Sequence, residues 1–217
     1  MQRTTIQDIR TYFKTELEKQ NFVIDKTGCK MVEMVGASFL ADEPAIFGTV
    51  NEDYVRREIQ WYESQSLNVN DIPPPVPHIW KQVATPSGEI NSNYGYLIYS
   101  GENCDQFMSC VEALKRDPYS RRAIMIYTRP SIQFEYNRAG MSDFICTNAH
   151  QYLIRDGKVH VVVTMRSNDV VFGYKNDWSW AKHVLNKVSK ELDVPTGDII
   201  WQVGSLHVYE RHFGLIN

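Results

Sequence analysis

The apolar positions of this chain change period several times along its length, and each change predicts an element. Ile6, Ile9, Phe13 and Leu17 recur at helical spacing behind Thr5, which predicts a helix opening there. Residues 22–24 and 34–39 have strand character, with Asp25-Lys26-Thr27-Gly28 as the turn between them. A second helix is expected after Asn51, with Val55, Ile59 and Tyr62 on one face and Glu58 beside that face. The proline-rich run 71–77 cannot be helix and predicts a stiff connector, followed by a loop over 80–94. Residues 105–116 read as a short amphipathic helix, and Asp117-Pro118-Tyr119-Ser120 as a turn into a strand over 123–128. Residues 144–155 and 158–165 alternate as the strands of a hairpin closed at Asp156-Gly157. Trp180, Val184, Val188 and Leu192 mark the most regular helix, expected over 176–192, and 199–203 and 206–209 read as two short closing strands. With no repeat or interdomain linker, this order predicts a single α+β domain over 1–217. Its central sheet is expected to be mixed or antiparallel and flanked by helices.

Composition narrows the function rather than the fold. A net charge of -3 and the lack of a long basic run argue against a nucleic-acid groove and favour a small-molecule site. No apolar run approaches the roughly 20 residues of a membrane span, and the N-terminus lacks a secretory pattern, so a cytoplasmic location is expected. Cys29, Cys104, Cys110 and Cys146 have no metal-ligand spacing and read as free thiols.

The chemistry concentrates late in the chain. Cys146 falls in a strand pattern and has two readings, a small buried hydrophobe or a thiolate nucleophile; Arg166, on the expected partner strand, would supply the positive charge the second needs. His150 lies four residues on, about 13 Å away along a strand, which disfavours a Cys-His hydrolase. Arg121 and Arg122 are either a solvated pair or an anion grip, because guanidinium forks match phosphate oxygens. Glu58 is either a rim carboxylate or, if buried, a proton relay. By local sequence Asp169 is a loop acid and Asp177 an acid of the helix start.

Several blocks together resemble the thymidylate synthase family. They are Asp117-Pro118-x-Ser120-Arg121-Arg122, the Cys146 strand ending in Gln151, Arg166-Ser167-x-Asp169-Val170 with Gly173, and Gly204-x-x-His207-x-Tyr209. Asp25-Lys26-Thr27-Gly28, Glu58, Trp80 and Tyr94 fall where that family has its phosphate loop, catalytic glutamate, folate-side tryptophan and active-site tyrosine. Ala37-Ser38-Phe39, the run from Gly88 to Gly95, the run from Met125 to Ser131, Gly140 to Phe144, and Ser167 to Gly173 resemble its phage branch, which hydroxymethylates deoxycytidylate (dCMP). Thymidylate synthases usually have Pro-Cys-His at the nucleophile, where this chain has Ile145-Cys146-Thr147, and Asn where it has Asp177. A neutral amide matches the N–H and carbonyl of a uracil edge. A carboxylate accepts from cytosine's amino group and can share a proton with ring nitrogen 3, so Asp177 favours dCMP over dUMP.

The resemblance implies a thymidylate synthase-like fold and 5,10-methylenetetrahydrofolate as co-substrate, with no metal and no direct nucleic-acid or membrane contact. It implies that Cys146 attacks carbon 6 of the pyrimidine, that Glu58 and Tyr94 handle protons and water, and that Asp177 reads the base. It places Lys26, Arg166 and Ser167 on the phosphate, His207 and Tyr209 on the sugar 3′-hydroxyl, and Trp80, Asp169 and Gly173 on the folate side. Arg121 and Arg122 would cross the interface of a homodimer to the other subunit's phosphate. Relatives continue past the position of Asn217 into a tail over the folate, so closure is expected from another segment. The product would be 5-hydroxymethyl-dCMP for modified phage DNA. The other readings are dUMP hydroxymethylation, reductive methylation, and a non-catalytic nucleotide-binding relative.

Overall fold

Thr5 opens the first helix by a reciprocal cap. Its hydroxyl accepts the Asp8 N–H at 3.4 Å while the Asp8 carboxylate accepts the Thr5 N–H at 2.8 Å. A computed structural model describes residues 3–25 and 27–216, so the expected phosphate contact Lys26 lies outside the described residues. In chain order the elements are α1 (Ile6–Glu18), β1 (Val23–Ile24), β2 (Lys30–Leu40), α2 (Glu52–Ser64), α3 (His78–Val83), α4 (Tyr94–Tyr99) and α5 (Gln106–Arg116). They continue with β3 (Ile124–Ile126), α6 (Ile132–Glu135), β4 (Thr147–Arg155), β5 (Lys158–Asp169), α7 (Gly173–Leu192) and β6 (Thr196–Tyr209). Two compact units emerge: one joins the segment up to Val50 with the segment from Arg155 onward, and the other is Asn51–Ile154.

In the first unit the strands run in the order β1-β2-β6-β5. β1–β2 and β2–β6 are antiparallel and β5–β6 is parallel, so the sheet is mixed. A parallel neighbour needs a crossover, and α7 supplies it, burying Trp180, Ala181, Val184, Leu185 and Val188. Val159, Val161, Val163 and Met165 face the core on β5, and then the phase of burial switches: Arg166 is exposed and Asn168 is buried. The switch occurs where Gly36 (φ +69°) sits between the Val35–Ser205 and Ala37–Val203 pairs, and where a Cβ on Gly204 would lie 2.9 Å from the Arg166 carbonyl oxygen. Only glycine fits that approach.

β6 is one strand, not the two expected, because β2 and β5 pair with it on both sides across the Gly204-Ser205 interruption. β2 begins earlier and β5 runs later than the alternation indicated, and α7 starts at Gly173 rather than at 176. Asp156 and Gly157 have φ of +50° and +69°, as a two-residue primed turn requires.

In the second unit α2, α4 and α5 pack in sequence, and β3 lies antiparallel to β4 with Met125 opposite His150. Gly95 is obligatory where α4 meets α2, since a Cβ there would fall 1.8 Å from the Tyr62 carbonyl oxygen. The expected loop over 80–94 contains the second half of α3: Pro77 precedes that helix with φ of -60°, where a ring and a missing N–H are tolerated. β3 is only three residues long, and β4 begins at Thr147, which leaves Cys146 just ahead of the strand rather than inside it.

Candidate active site

In the second unit, α2 turns Glu58 inward, where it is only 5% exposed, so it is not a rim carboxylate. Tyr54, one turn earlier, donates its hydroxyl to Glu58 Oε1. Trp80 of α3 brings its indole Nε1–H to Tyr54 Oη at 3.0 Å and Glu58 Oε1 at 3.2 Å. Burial outweighs these two donors and pushes the Glu58 carboxyl up to about 7 from its ordinary 4.5. A carboxyl poised there can release and take back a proton near neutral pH. The aromatic series Trp80, Trp61, Tyr62, Tyr94, Tyr127 and His150 continues behind it, with neighbouring ring centroids 4.6–5.3 Å apart.

Tyr94 starts α4 and is buried in this series. The Asp143 carboxylate fixes the approach to α4 by accepting the Asn91 and Ser92 N–H groups at 2.7 and 2.8 Å and the Ser92 hydroxyl at 2.6 Å. Cys146, three residues after Asp143, is half-buried, with Sγ 3.7 Å from the Phe144 carbonyl oxygen. His150 is buried with Nδ1 3.2 Å from Tyr127 Oη, and burial lowers its pKa to about 3, so it stays neutral and cannot hold charge beside a thiolate. Arg121 and Arg122 are exposed, and neither guanidinium meets a carboxylate among the described residues. Their backbone is anchored instead: the Arg121 carbonyl accepts Gln151 Nε2–H at 2.9 Å, and the Arg122 N–H reaches Ser120 Oγ at 3.2 Å.

In the first unit the end of β5 and the start of α7 bring five of the expected residues onto one short stretch. Arg166 is exposed and Ser167 half-buried opposite Ser205, and Asp169 stands opposite His207 across β6. Asp169 Oδ1 accepts the Val171 and Phe172 N–H groups at 2.9 and 2.6 Å, which folds the chain into α7. Its Oδ2 lies 4.0 Å from His212 Nδ1. His207 is buried, with Nδ1 3.3 Å from the Ser205 carbonyl oxygen and its ring 5.0 Å from that of Tyr209. Asp177 is not a helix-start acid: it is the fifth residue of α7, and its Oδ2 accepts Asn168 Nδ2–H at 2.8 Å. Gly173 makes room for this contact, since a Cβ there would lie 3.1 Å from Asn168 Nδ2.

Tyr54, Asp143 and Asn168 had no role assigned from sequence. Tyr54 was within reach, being four residues before Glu58 on one helix face. Asn168 and Asp143 carried no local signal, because their partners are nine and about fifty residues distant.

Residues 17–217 match the family model described as thymidylate synthase, and the chain belongs to the thymidylate synthase family. Its α+β arrangement of mixed sheet and helices is the fold expected from the sequence. The particular likeness is to the deoxycytidylate 5-hydroxymethyltransferases of Enterobacteria phages T6 and T4, at 56% and 55% identity over 98% of this chain and 89% of each relative. The thymidylate synthase of Francisella philomiragia is 26% identical over 89% of this chain and 76% of its own length. The family uses methylenetetrahydrofolate. In the first unit, the chemistry of Asp169 suits the N–H edge of a pterin, since its Oδ2 is a carboxylate acceptor. Among the described residues no helix is long and apolar enough to cross a membrane, and no group of three or more His, Cys, Asp or Glu could hold a metal ion.

Proposed function

We propose that this chain transfers a one-carbon unit to carbon 5 of dCMP with addition of water, giving 5-hydroxymethyl-dCMP and tetrahydrofolate. The observation that carries this reading is the 56% identity, over nearly the whole chain, to a phage protein named for that reaction. Residues 1–217 act as one catalytic domain, in the host cytoplasm, and the product serves as a precursor of modified phage DNA.

Cys146 Sγ adds to carbon 6 of the pyrimidine, which makes carbon 5 nucleophilic. Bound methylenetetrahydrofolate supplies the one-carbon unit. Carbon 5 then loses its proton as the bond from the transferred carbon to the folate nitrogen breaks and tetrahydrofolate leaves. The exocyclic methylene that results takes up water. Expulsion of the thiolate from carbon 6 then restores the ring. Glu58 exchanges the protons of these steps, and its pKa near 7 suits both directions. Tyr94 helps place the water. Arg166, Ser167 and Lys26 hold the 5′-phosphate, and His207 and Tyr209 hold the 3′-hydroxyl. Trp80, Asp169 and Gly173 serve the folate side, and Asp177 pairs with the cytosine edge. In a homodimer, Arg121 and Arg122 are donated to the other subunit's phosphate; their exposure without carboxylate partners supports this.

Incubation of dCMP or dUMP with methylenetetrahydrofolate, followed by mass analysis, tests the reading. The expected product is 5-hydroxymethyl-dCMP. A methylated product, or turnover of dUMP alone, overturns it.

A further inference from the structure

Asn168 is 4% exposed near the end of β5, and its amide carries an imbalance. Nδ2–H donates to Asp177 Oδ2 at 2.8 Å, while Oδ1 is buried with no hydrogen-bond partner among the described residues. An unpaired buried carbonyl is unfavourable, so nothing on its own side recommends this orientation of the amide. The reverse orientation would press Oδ1 against a carboxylate oxygen. The orientation is therefore set by Asp177, and Asp177 is in turn held by the amide. Gly173 keeps the contact open, because a Cβ there would crowd Nδ2 at 3.1 Å and approach Asp177 Oδ2 at 3.9 Å.

We propose that Asn168 is a positioning residue for base selection: by donating to Oδ2 it fixes the rotation of the Asp177 carboxylate and keeps Oδ2 an acceptor. This rests on the reading of Asp177 as the group that pairs with the base. An oxygen already receiving an N–H keeps its remaining lone pairs for a second donor, which suits the amino group at position 4 of cytosine. The proton shared with ring nitrogen 3 then belongs to Oδ1. Uracil reverses the pattern, offering a carbonyl at position 4 and an N–H at position 3. A carboxylate locked with Oδ2 as acceptor meets that carbonyl with repulsion. A carboxylate free to rotate or protonate at either oxygen would accommodate both bases better. Asn168 thus sharpens a choice that Asp177 makes.

The test compares dissociation constants for dCMP and dUMP, by calorimetry without folate, together with kcat/KM for dCMP. Asn168→Ala is expected to weaken dCMP by about tenfold to a hundredfold and dUMP by about threefold or less, so selectivity falls. Asn168→Ser, whose hydroxyl can still donate, is expected to recover part of it. If Asn168→Ala does not fold, Asn168→Asp provides the same comparison with the shape kept and the donor replaced; its dCMP preference is expected to fall. Equal losses for both nucleotides, or unchanged selectivity, would reduce Asn168 to a strut between β5 and α7 and overturn the proposal. Asp177→Asn serves as the separate arm. If it leaves the preference for dCMP intact, the underlying reading of Asp177 fails; if it moves the preference while the Asn168 variants do not, only the present inference fails.

Discussion

The surroundings of Glu58 and of Asp177 hold one carboxylate each, with different materials. Around Glu58 the materials are aromatic. Tyr54 and Trp80 donate to one oxygen, and Trp61, Tyr62 and Tyr94 fill the space behind. Around Asp177 they are polar: the Asn168 amide, the missing side chain of Gly173 and the second turn of a helix. Dry aromatic walls raise the cost of charge and tune a proton, as the shift of Glu58 to about 7 records. An amide beside a half-exposed acid instead fixes direction. On the proposed reading, one region moves protons and the other recognises a pattern of donors and acceptors.

Substitutions that cross this division separate the two roles. On that reading both depend on the thiol, so Cys146→Ser sets the floor: turnover is expected to fall on the order of 10⁴-fold with dCMP binding largely kept, as single-turnover and calorimetric measurements would reveal. Glu58→Gln is expected to lower kcat by about 10² to 10⁴ while leaving the dCMP preference unchanged. Asp177→Asn should do the reverse, moving the ratio of kcat/KM for dCMP over dUMP by about a hundredfold towards dUMP. If Glu58→Gln altered base choice, or Asp177→Asn abolished turnover of both nucleotides, the division would be wrong.

The pH dependence of stability sharpens the contrast further. The unfolded chain releases the Glu58 proton near 4.5, whereas the folded protein holds it to about 7. Over that window the native state binds more protons, so this group's contribution to stability falls as pH rises, by about 3 kcal/mol. His150 works oppositely. The unfolded chain takes up its proton near 6.5 and the folded protein resists until about 3, so its contribution is lost as pH falls through that range. The two slopes oppose each other where the windows overlap, and Glu58→Gln exposes the His150 slope. Denaturant titrations of wild type and variant at a series of pH values should diverge accordingly. Tyr54→Phe is the mildest change. It removes a donor that lowers the Glu58 pKa, so the pH limb assigned to Glu58 is expected to move up by about one pH unit.

Legibility in the sequence followed the range of the forces involved. The helices capped by their own side chains at Thr5, Asn51 and Asp105 were readable, because cap and helix lie within a few residues. α7 was placed too late, since Phe172 offers it no side-chain cap and the Asp169 turn begins it instead. The continuity of β6 was hidden because Gly204-Ser205 breaks the apolar pattern, and only pairing with β2 and β5 carries the strand through. In the site the types of the acids were visible but their environments were not. Glu58 is buried by Trp80, twenty-two residues away, and Asp177 is held by an asparagine on another element. A motif identifies which acid is present, whereas its proton affinity and orientation come from distant neighbours.

The indole of Trp80 touches both the Tyr54 phenol and the Glu58 carboxylate, with Nε1 at 3.0 and 3.2 Å from their oxygens. Its excited state therefore sits beside a charge that appears and disappears near neutrality. The intrinsic fluorescence of the folded protein should titrate with a midpoint near the Glu58 value of about 7, and Trp80→Phe or Glu58→Gln should remove that transition. The protein thus carries its own optical indicator of the Glu58 proton.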